Sequence, residues 1–205
     1  MQEVIILNLL YYINLGIDDD GDVANFVETE TLIFYNQYCC SHVQIRGSVP
    51  VFWQQRGITA QTKITRTLET GNSAFLKHFN YLMRNYTRVL CVNLMARSKT
   101  QEQMITDEYE NHIIKNNLPN VRYEFFDFHH ACKGQKFDHV NPLIKKLQLM
   151  NENFRFYVED TRNNTVIMTQ KGYNFNIQKL NKQLSIKTGF AEQIVWIVWI
   201  ELTSL

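Results

Sequence analysis

Apolar and polar positions follow different patterns in the two parts of the chain. Up to residue 53, β-branched and aromatic side chains predominate in two runs, Val23–Tyr35 and His42–Trp53, which favours β-strands. From Asn72 onward, apolar residues recur every three or four positions, which predicts an amphipathic helix that begins at Asn72 or Ser73. The chain therefore has a β-rich N-terminal part and changes character near residue 72.

After this helix, short apolar runs alternate with longer amphipathic segments. The run Arg88–Met95 is almost continuously apolar, which is typical of a strand buried in a parallel sheet. The further predicted elements are a helix over Gln101–Asn117, a strand over Val121–Phe128, a helix over His139–Asn151 and strands over Phe154–Glu159 and Val166–Met168. Such alternation predicts βαβ crossovers. We therefore predict an α/β fold, in which the β-rich N-terminal part is followed by alternating strand–helix units that form a mainly parallel sheet.

The composition is that of an ordinary globular protein. Of the 205 residues, 45% are apolar and 20% are charged, and the formal net charge is +1, so overall charge gives no argument for nucleic acid as a partner. The four cysteines have no disulfide-framework or CxxC spacing, which predicts reduced thiols in an intracellular protein. No apolar run approaches the length of a membrane span, and the N-terminus lacks a signal-peptide pattern. The printed chain is predicted to be soluble, without a transmembrane segment.

One spacing in the chain matches that of a cysteine phosphatase. Cys40 precedes Arg46 by six residues, as a nucleophilic thiolate precedes a phosphate-binding arginine in such enzymes. A phosphate-binding loop, however, needs successive backbone amides that point inward, usually at a helix N-terminus. The intervening residues contain no glycine, and Val43 and Ile45 alternate as in a strand. We interpret the spacing as coincidental and assign no catalytic residue in this chain.

Polar residues are concentrated where the predicted strand Val121–Phe128 ends. In parallel sheets, ligands bind beyond the carboxyl ends of the strands, so Asp127, His129 and Lys133 lie at the expected position of a site. Lys133, with His129 and the amide of Gly134, can bind an anion. A solvated surface loop of the same composition is equally consistent with the sequence, and both interpretations stay open at this point.

Two further patterns have simple alternatives. Zinc binding would use His129, His130 and Cys132, but adjacent histidines on an extended backbone point to opposite faces, and no second ligand pair has zinc-like spacing. Arg46, followed by Gly47, presents a guanidinium fork beside an unobstructed backbone, which suits a phosphate. A surface arginine at a strand kink is the simpler explanation for Arg46. No metal and no cofactor are assigned.

Four segments together resemble the Sac family of phosphoinositide phosphatases. They are GIDDDGDVANFVETE (Gly16–Glu30), HVQIRGSVPVFWQQ (His42–Gln55), VLCVNL (Val89–Leu94) and FDFHHACKG (Phe126–Gly134). Their order and spacing are family-like over about residues 11–172, and the strings IRGSVPVFW and ANFVETE are highly specific. The FDFHHACKG form is similar to the branch that acts on phosphatidylinositol 4-phosphate at the endoplasmic reticulum and Golgi. The resemblance implies a partial Sac phosphatase domain over residues 1–190.

Two departures from the family pattern matter. Leu15 stands where the family usually has an arginine before the glycine of its GID string, and the portion that ordinarily precedes this string is not in the printed sequence. The catalytic signature of the family, of the form RTNCxDCLDRTN, is expected soon after Gly172 and does not occur in the chain. The printed chain is therefore expected to be inactive.

The tail, residues 191–205, is compatible with this signature when its codons are read in another frame. A codon in the shifted frame combines the third base of one codon with the first two bases of the next. Each of the two tail tryptophans is followed by isoleucine, so the shifted codon at each of these positions must encode aspartate. The remaining codons from Ala191 onward are compatible with RTNCMDCLDRTN. We infer, as a hypothesis, that residues 191–205 are an out-of-frame tail and that residues from about Lys171 to Lys187 are partly foreign to the fold.

The resemblance implies a function for the intact protein. It would hydrolyse an inositol-ring phosphate, such as that of phosphatidylinositol 4-phosphate, through a cysteine-phosphate intermediate. The implied partner is a phosphoinositide headgroup at a membrane surface, with an endoplasmic reticulum or Golgi location. Arg46 and Lys133 are the predicted headgroup contacts, with His129 and Asp127 positioning the loop. The alternative is a noncatalytic phosphoinositide-binding module that keeps these contacts without the cysteine.

Overall fold

The computed structural model describes residues 16–55, 61–134 and 136–177, which contain nine strands and four helices. The strands are β1 (Val27–Tyr35), β2 (Tyr38–Gly47), β3 (Trp53–Gln55), β4 (Thr62–Ile64), β5 (Val89–Asn93), β6 (Val121–Phe125), β7 (Tyr157–Asp160), β8 (Thr165–Met168) and β9 (Tyr173–Ile177). The helices are α1 (Leu68–Tyr86), α2 (Thr100–Asn116), α3 (Phe128–Ala131) and α4 (Asn141–Phe154), and a 3₁₀ turn covers Phe137–Val140.

Seven of these strands form one mixed sheet. Six follow the order β6-β5-β9-β2-β7-β8, and β1 pairs with β2 outside this path. Pairing is parallel among β6, β5, β9 and β2, whereas β1 and β7 are antiparallel to β2, and β8 is antiparallel to β7. The predicted α/β fold, with its β-rich N-terminal region and alternating strand–helix elements, is confirmed. Parallel pairing occupies one half of the sheet and antiparallel pairing the other.

The strand β2 belongs to both halves of the sheet. It forms a hairpin with β1 through a tight turn in which Asn36 has a φ of 52°, a left-handed conformation that asparagine tolerates well. On its other edge, the residues Tyr38 to Ser41 pair with β7, and the residues Ile45 to Gly47 pair with β9. One long strand therefore joins the antiparallel hairpins to the parallel strands.

Helices cover both faces of the parallel half. Because successive side chains of a strand point to opposite faces, Val89 and Cys91 of β5 pack in the cluster formed with α1 and α2, whereas Leu90 and Val92 pack in the cluster formed with α4. Every residue of β5 is buried. Burial on both sides explains why this strand is a continuous apolar run in the sequence.

The helix start predicted at Asn72 or Ser73 is wrong. The helix α1 begins five residues or so earlier, where the side chain of Thr67 accepts a hydrogen bond from the backbone N–H of residue 70. Gly71 lies inside the helix and is buried, and a Cβ at this position would be 3.4 Å from the ring of Phe52. That distance is an ordinary van der Waals contact, so Gly71 is tolerated as a packed position inside the helix and does not end it.

Other predicted boundaries shift by a few residues. The predicted strand His42–Trp53 divides, because the chain leaves the sheet after Gly47 and returns to extended pairing only at β3. The predicted strand Val121–Phe128 ends at Phe125, since Asp127 caps the short helix α3. The predicted strand Phe154–Glu159 begins later, at β7, because α4 continues to Phe154.

The strand β9 was not predicted from the sequence. This strand lies between β5 and β2 and pairs in parallel with both. Tyr173–Ile177 are therefore part of the sheet, and the expectation that residues from about Lys171 to Lys187 are partly foreign to the fold stays a prediction, since residues from 178 onward lie outside the described ranges. The proposed out-of-frame tail, residues 191–205, lies outside the described residues.

Candidate functional site

The four parallel strands end together at one edge of the sheet, here called the carboxyl edge. Gly47, Ile177, Asn93 and Phe125 lie in one row across β2, β9, β5 and β6. After β5 the chain turns to α2 on one face, and after β6 it leads to α4 on the other face. Open α/β sheets bind ligands where neighbouring strands diverge in this way.

Asp127 ties together the two segments that diverge at the carboxyl edge. Its Oδ1 accepts a hydrogen bond of 2.9 Å from the backbone N–H of His130 and so caps α3. Its Oδ2 accepts a hydrogen bond of 3.0 Å from the backbone N–H of Arg97, in the segment after β5. The carboxylate thus has a clear structural use, and its role in positioning a headgroup-binding loop stays a prediction.

The other predicted residues of this segment are exposed. His129 and Lys133 lie on the surface at and after α3, and Lys133 has no ion-pair partner within the described ranges. Gly134 has a φ of 72° and open space around the position of a Cβ. The segment is accessible to an anion, and contacts of His129 and Lys133 with a headgroup stay predictions.

Arg46 lies at the same edge as Lys133. It is exposed at the end of β2, and the pairing places it in one row with Val92, whose side chain packs in the α4 cluster. Arg46 therefore belongs to the α4 face, which is also the face to which the segment after β6 leads. The strands β2 and β6 are three strand spacings apart, or about 14 Å. The predicted cations thus flank the ends of β9 and β5.

The spacing between Cys40 and Arg46 does not form a phosphate-binding loop. Both residues lie in β2, and six residues of a strand span about 20 Å. Cys40 is 1% exposed and packs against Phe156 and Val158, and burial raises the pKa of its thiol. Burial also raises the pKa of Cys91, to about 12. A thiol whose pKa is raised by burial is a poor nucleophile at neutral pH.

A polar network that the sequence analysis missed fixes the segment after β5. The side-chain amide of Asn93, which is fully buried, donates to the hydroxyl of Tyr123 over 3.0 Å, and its carbonyl oxygen accepts from the backbone N–H of Met95 over 3.1 Å. The Tyr123 hydroxyl donates to Glu110 over 2.9 Å, and Glu110 pairs with the guanidinium of Arg97. Burial raises the pKa of Tyr123, so its hydroxyl stays protonated as a donor.

The network presents Arg97 at the carboxyl edge. Its guanidinium is half-exposed and lies 4.3 Å from the centre of the Phe125 ring, which is a favourable cation–π distance. Nearby, the buried carboxylate of Glu102 accepts a 2.7 Å hydrogen bond from the backbone N–H of Ala96. An acidic residue in the first turn of a helix was the only available sequence signal for this region.

The zinc alternative finds no support in the described part of the chain. No group of three or more His, Cys, Asp and Glu side chains there is arranged to hold a metal ion. His129 and His130 are exposed, whereas Cys132 is buried and burial raises the pKa of its thiol. None of the helices within residues 16–55, 61–134 and 136–177 is long and apolar enough to cross a bilayer.

The chain is similar to proteins that carry a SacI homology domain, since the profile of that family matches residues 10–133. It is 32% identical over 169 residues to inositol-1,4,5-trisphosphate 5-phosphatase 1 of Schizosaccharomyces pombe, covering 80% of this chain and 15% of that protein. It is 39% identical over 134 residues to phosphatidylinositide phosphatase SAC2 of Danio rerio, covering 64% and 12%. It is 34% identical over 186 residues to polyphosphatidylinositol phosphatase INP53 of Saccharomyces cerevisiae, covering 88% and 16%. The chain thus spans about one seventh of the length of these relatives.

Proposed function

Because the chain belongs to the SacI homology domain family, we propose that it is part of a phosphoinositide phosphatase that hydrolyses an inositol-ring phosphate of a membrane lipid. The observation that carries this proposal is the carboxyl edge, where four parallel strands end and where Arg46, Arg97 and Lys133 are exposed. An edge with several cations above a rigid sheet suits an anionic headgroup. The names of the relatives, which are phosphatases of inositol phosphates and phosphatidylinositides, support the same reaction class.

The nucleophile of the proposed reaction is the first cysteine of RTNCMDCLDRTN, encoded one frame away from the tail. Its thiolate attacks phosphorus, the bond from phosphorus to the ring oxygen breaks, and an aspartate gives a proton to the leaving alcohol. The arginine of the same loop stabilises the equatorial oxygens, and water then hydrolyses the phosphocysteine. None of these groups is numbered in the present chain, which we therefore propose is inactive as printed.

The strand β9 supports this arrangement. It ends at the carboxyl edge between β2 and β5, and the codons of the proposed catalytic sequence follow it in the chain. We assign the headgroup contacts to Arg46 and Lys133, and the positioning of the loop to Asp127 and His129. The substrate we propose is phosphatidylinositol 4-phosphate, and the proposed site of action is the endoplasmic reticulum and Golgi membrane.

Two experiments test the proposal. Sequencing the transcript across the codons for residues 171–205 is expected to show one continuous frame that encodes RTNCMDCLDRTN. Phosphate release from phosphatidylinositol 4-phosphate is then compared between the 205-residue chain, a chain with the corrected frame, and a corrected chain whose first signature cysteine is replaced by serine. We expect turnover only with the second. Turnover by the 205-residue chain that is abolished by Cys40→Ala would overturn the assignment of the nucleophile.

The noncatalytic binding module is a further outcome of the same comparison. If the corrected chain binds the headgroup but never releases phosphate, the module is favoured over the enzyme. Isothermal titration with soluble inositol phosphates measures this binding without a membrane. Arg46→Gln and Lys133→Gln should each weaken it, whereas Lys63→Gln, an exposed lysine on β4, serves as the matched control.

A further inference from the structure

An aromatic side chain is exposed beside the carboxyl edge. Phe137 lies in the 3₁₀ turn between α3 and α4 and is 51% exposed. One side of its ring contacts Phe128, with ring centroids 6.5 Å apart. A hydrogen bond of 2.8 Å between His139 Nδ1 and the carbonyl oxygen of Ala131 joins the turn to α3. The exposed ring is thus held outward by a folded turn.

Two lysines precede this aromatic side chain in sequence. Lys133 and Lys136 are both exposed, and within the described ranges neither forms an ion pair. Asp138 is the acidic residue of the turn itself. An exposed aromatic ring that follows basic side chains suits the interface of an anionic bilayer, where the ring is partly buried and the cations remain near the headgroups.

The most exposed aromatic side chain of the sheet, that of Phe34, lies at the opposite end and has a different charge environment. Phe34 is 71% exposed on β1 and pairs with Cys39, near the start of β2. The same row of the sheet continues to the acidic residue Glu159 on β7. An acidic neighbour is unfavourable next to anionic lipid. Phe34 therefore has an acidic residue in its row, whereas Phe137 follows two lysines that form no ion pair within the described ranges, and this difference favours the carboxyl edge as the one that faces a membrane.

We propose that Lys133, Lys136 and Phe137 form a docking surface for an anionic lipid bilayer. The inference rests on the proposed function, because a phosphatase acting on a membrane lipid must turn its site toward the bilayer. With the ring of Phe137 among the headgroups, the carboxyl edge faces the membrane, and the ends of β9, β5 and β2 are close to the substrate phosphate. The surface shares Lys133 with the proposed headgroup contacts, whereas Lys136 and Phe137 belong to the surface alone.

Vesicle co-sedimentation of the 205-residue chain tests this surface. The probes are phosphatidylcholine vesicles with and without phosphatidylserine, neither of which contains phosphoinositide. Phe137→Ala is expected to weaken binding to the phosphatidylserine vesicles by about fivefold to tenfold, given the apolar area lost. Lys133→Gln with Lys136→Gln is expected to weaken it by about tenfold or more. Added salt should reduce the contribution of the two lysines to vesicle binding more than that of Phe137.

Matched controls use the opposite end of the sheet. Phe34→Ala removes a ring that is more exposed than that of Phe137, and Lys115→Gln with Lys171→Gln removes two exposed lysines at that end. These variants should bind within about twofold of the unchanged chain, as the surface assigns them no lipid contact. Circular dichroism of every variant checks that the fold is retained, which is expected because each altered side chain is exposed.

A tryptophan reporter gives a second readout. Phe137→Trp should be quenched by brominated lipid in phosphatidylserine vesicles beyond the unchanged chain, whereas Phe34→Trp should not. Equal binding of the Phe137→Ala and Phe34→Ala variants, with no added quenching at position 137, would overturn the docking surface. The exposed ring of Phe137 would then be assigned to contact with a protein partner. Vesicle binding that depends on Phe137 but is accompanied by no binding of soluble inositol phosphate supports the docking surface and contradicts the proposed substrate.

Discussion

Replacement of Asp127 tests how the two loops of the carboxyl edge are held together. One carboxylate oxygen accepts from His130 N and caps α3, and the other accepts from Arg97 N in the neighbouring segment. Asp127→Ala removes both acceptors. In Asp127→Asn, the amide oxygen can keep the helix cap, but the amide nitrogen cannot accept from Arg97. The two substitutions therefore separate the two contacts.

The expected magnitudes follow from these contacts. Loss of an N-cap costs about 1 kcal/mol, and loss of a hydrogen bond to a charged acceptor costs about 1.5 kcal/mol when the freed N–H can reach water. Asp127→Ala should thus lower the free energy of unfolding by about 2 to 3 kcal/mol, and Asp127→Asn by about 1 to 1.5 kcal/mol. Asp138→Asn, an exposed position in the same region, is the control and should change it by less than about 0.5 kcal/mol.

Urea denaturation measures the totals, and amide hydrogen exchange assigns them to each contact. In Asp127→Asn, exchange at the Arg97 amide should rise about tenfold, which corresponds to about 1.4 kcal/mol, while the His130 amide stays protected. In Asp127→Ala, exchange at both amides should rise. If the two variants unfold at the same urea concentration with the same exchange at Arg97 and His130, the carboxylate does not join the loops and the reasoning is refuted.

Three further predictions concern the core. Among the four thiols, that of Cys39, which is partly exposed, should react first with a disulfide reagent, because the other three are buried with raised pKa values; faster reaction of a second thiol in the native protein would contradict this. Burial lowers the pKa of His42 and of His78 from 6.5 to about 4. As the pH falls, the two histidines are therefore protonated in the unfolded chain before they are protonated in the folded chain. The free energy of unfolding should thus be lower at about pH 5 than above about pH 6.5, by about 2 kcal/mol per histidine. A flat free energy of unfolding over that pH window would show that neither histidine is held neutral. Gly16→Ala should destabilise the fold by about 3 kcal/mol, because a Cβ there would be 1.9 Å from the carbonyl oxygen of Val51, and an unchanged thermal midpoint would argue against that close approach.

The parts of the fold that depend on local pattern were predictable from sequence. The strand β5 was identified because burial on both faces makes it continuously apolar, and the periodicity of α1 follows from its single buried face. The start of α1 was placed too late because the buried positions that show its periodicity begin only after the first turn, whereas the cap is the side chain of Thr67. The strand β9 was missed because its pairing with β2 and β5 depends on residues distant in sequence.

The candidate site, like the fold, was predictable from the sequence only in part. The position of Asp127 and Lys133 beyond a strand was predictable, since polar residues that follow an apolar run mark the end of a strand. The connection from Asn93 through Tyr123 and Glu110 to Arg97 was not, because it joins one strand to another strand and to a helix. No local spacing encodes such contacts.

The central place of β9 has a consequence for how the protein is made. Its residue Phe175 pairs with Ile45, about 130 residues earlier in the sequence, and pairing between such distant segments slows folding. During synthesis, the facing edges of β2 and β5 remain open until β9 has left the ribosome, and open strand edges favour aggregation of nascent chains. The gap between β2 and β5 therefore closes only when β9, the last strand within the described residues, has been made, and a ribosome that stalls before Tyr173 releases an aggregation-prone product.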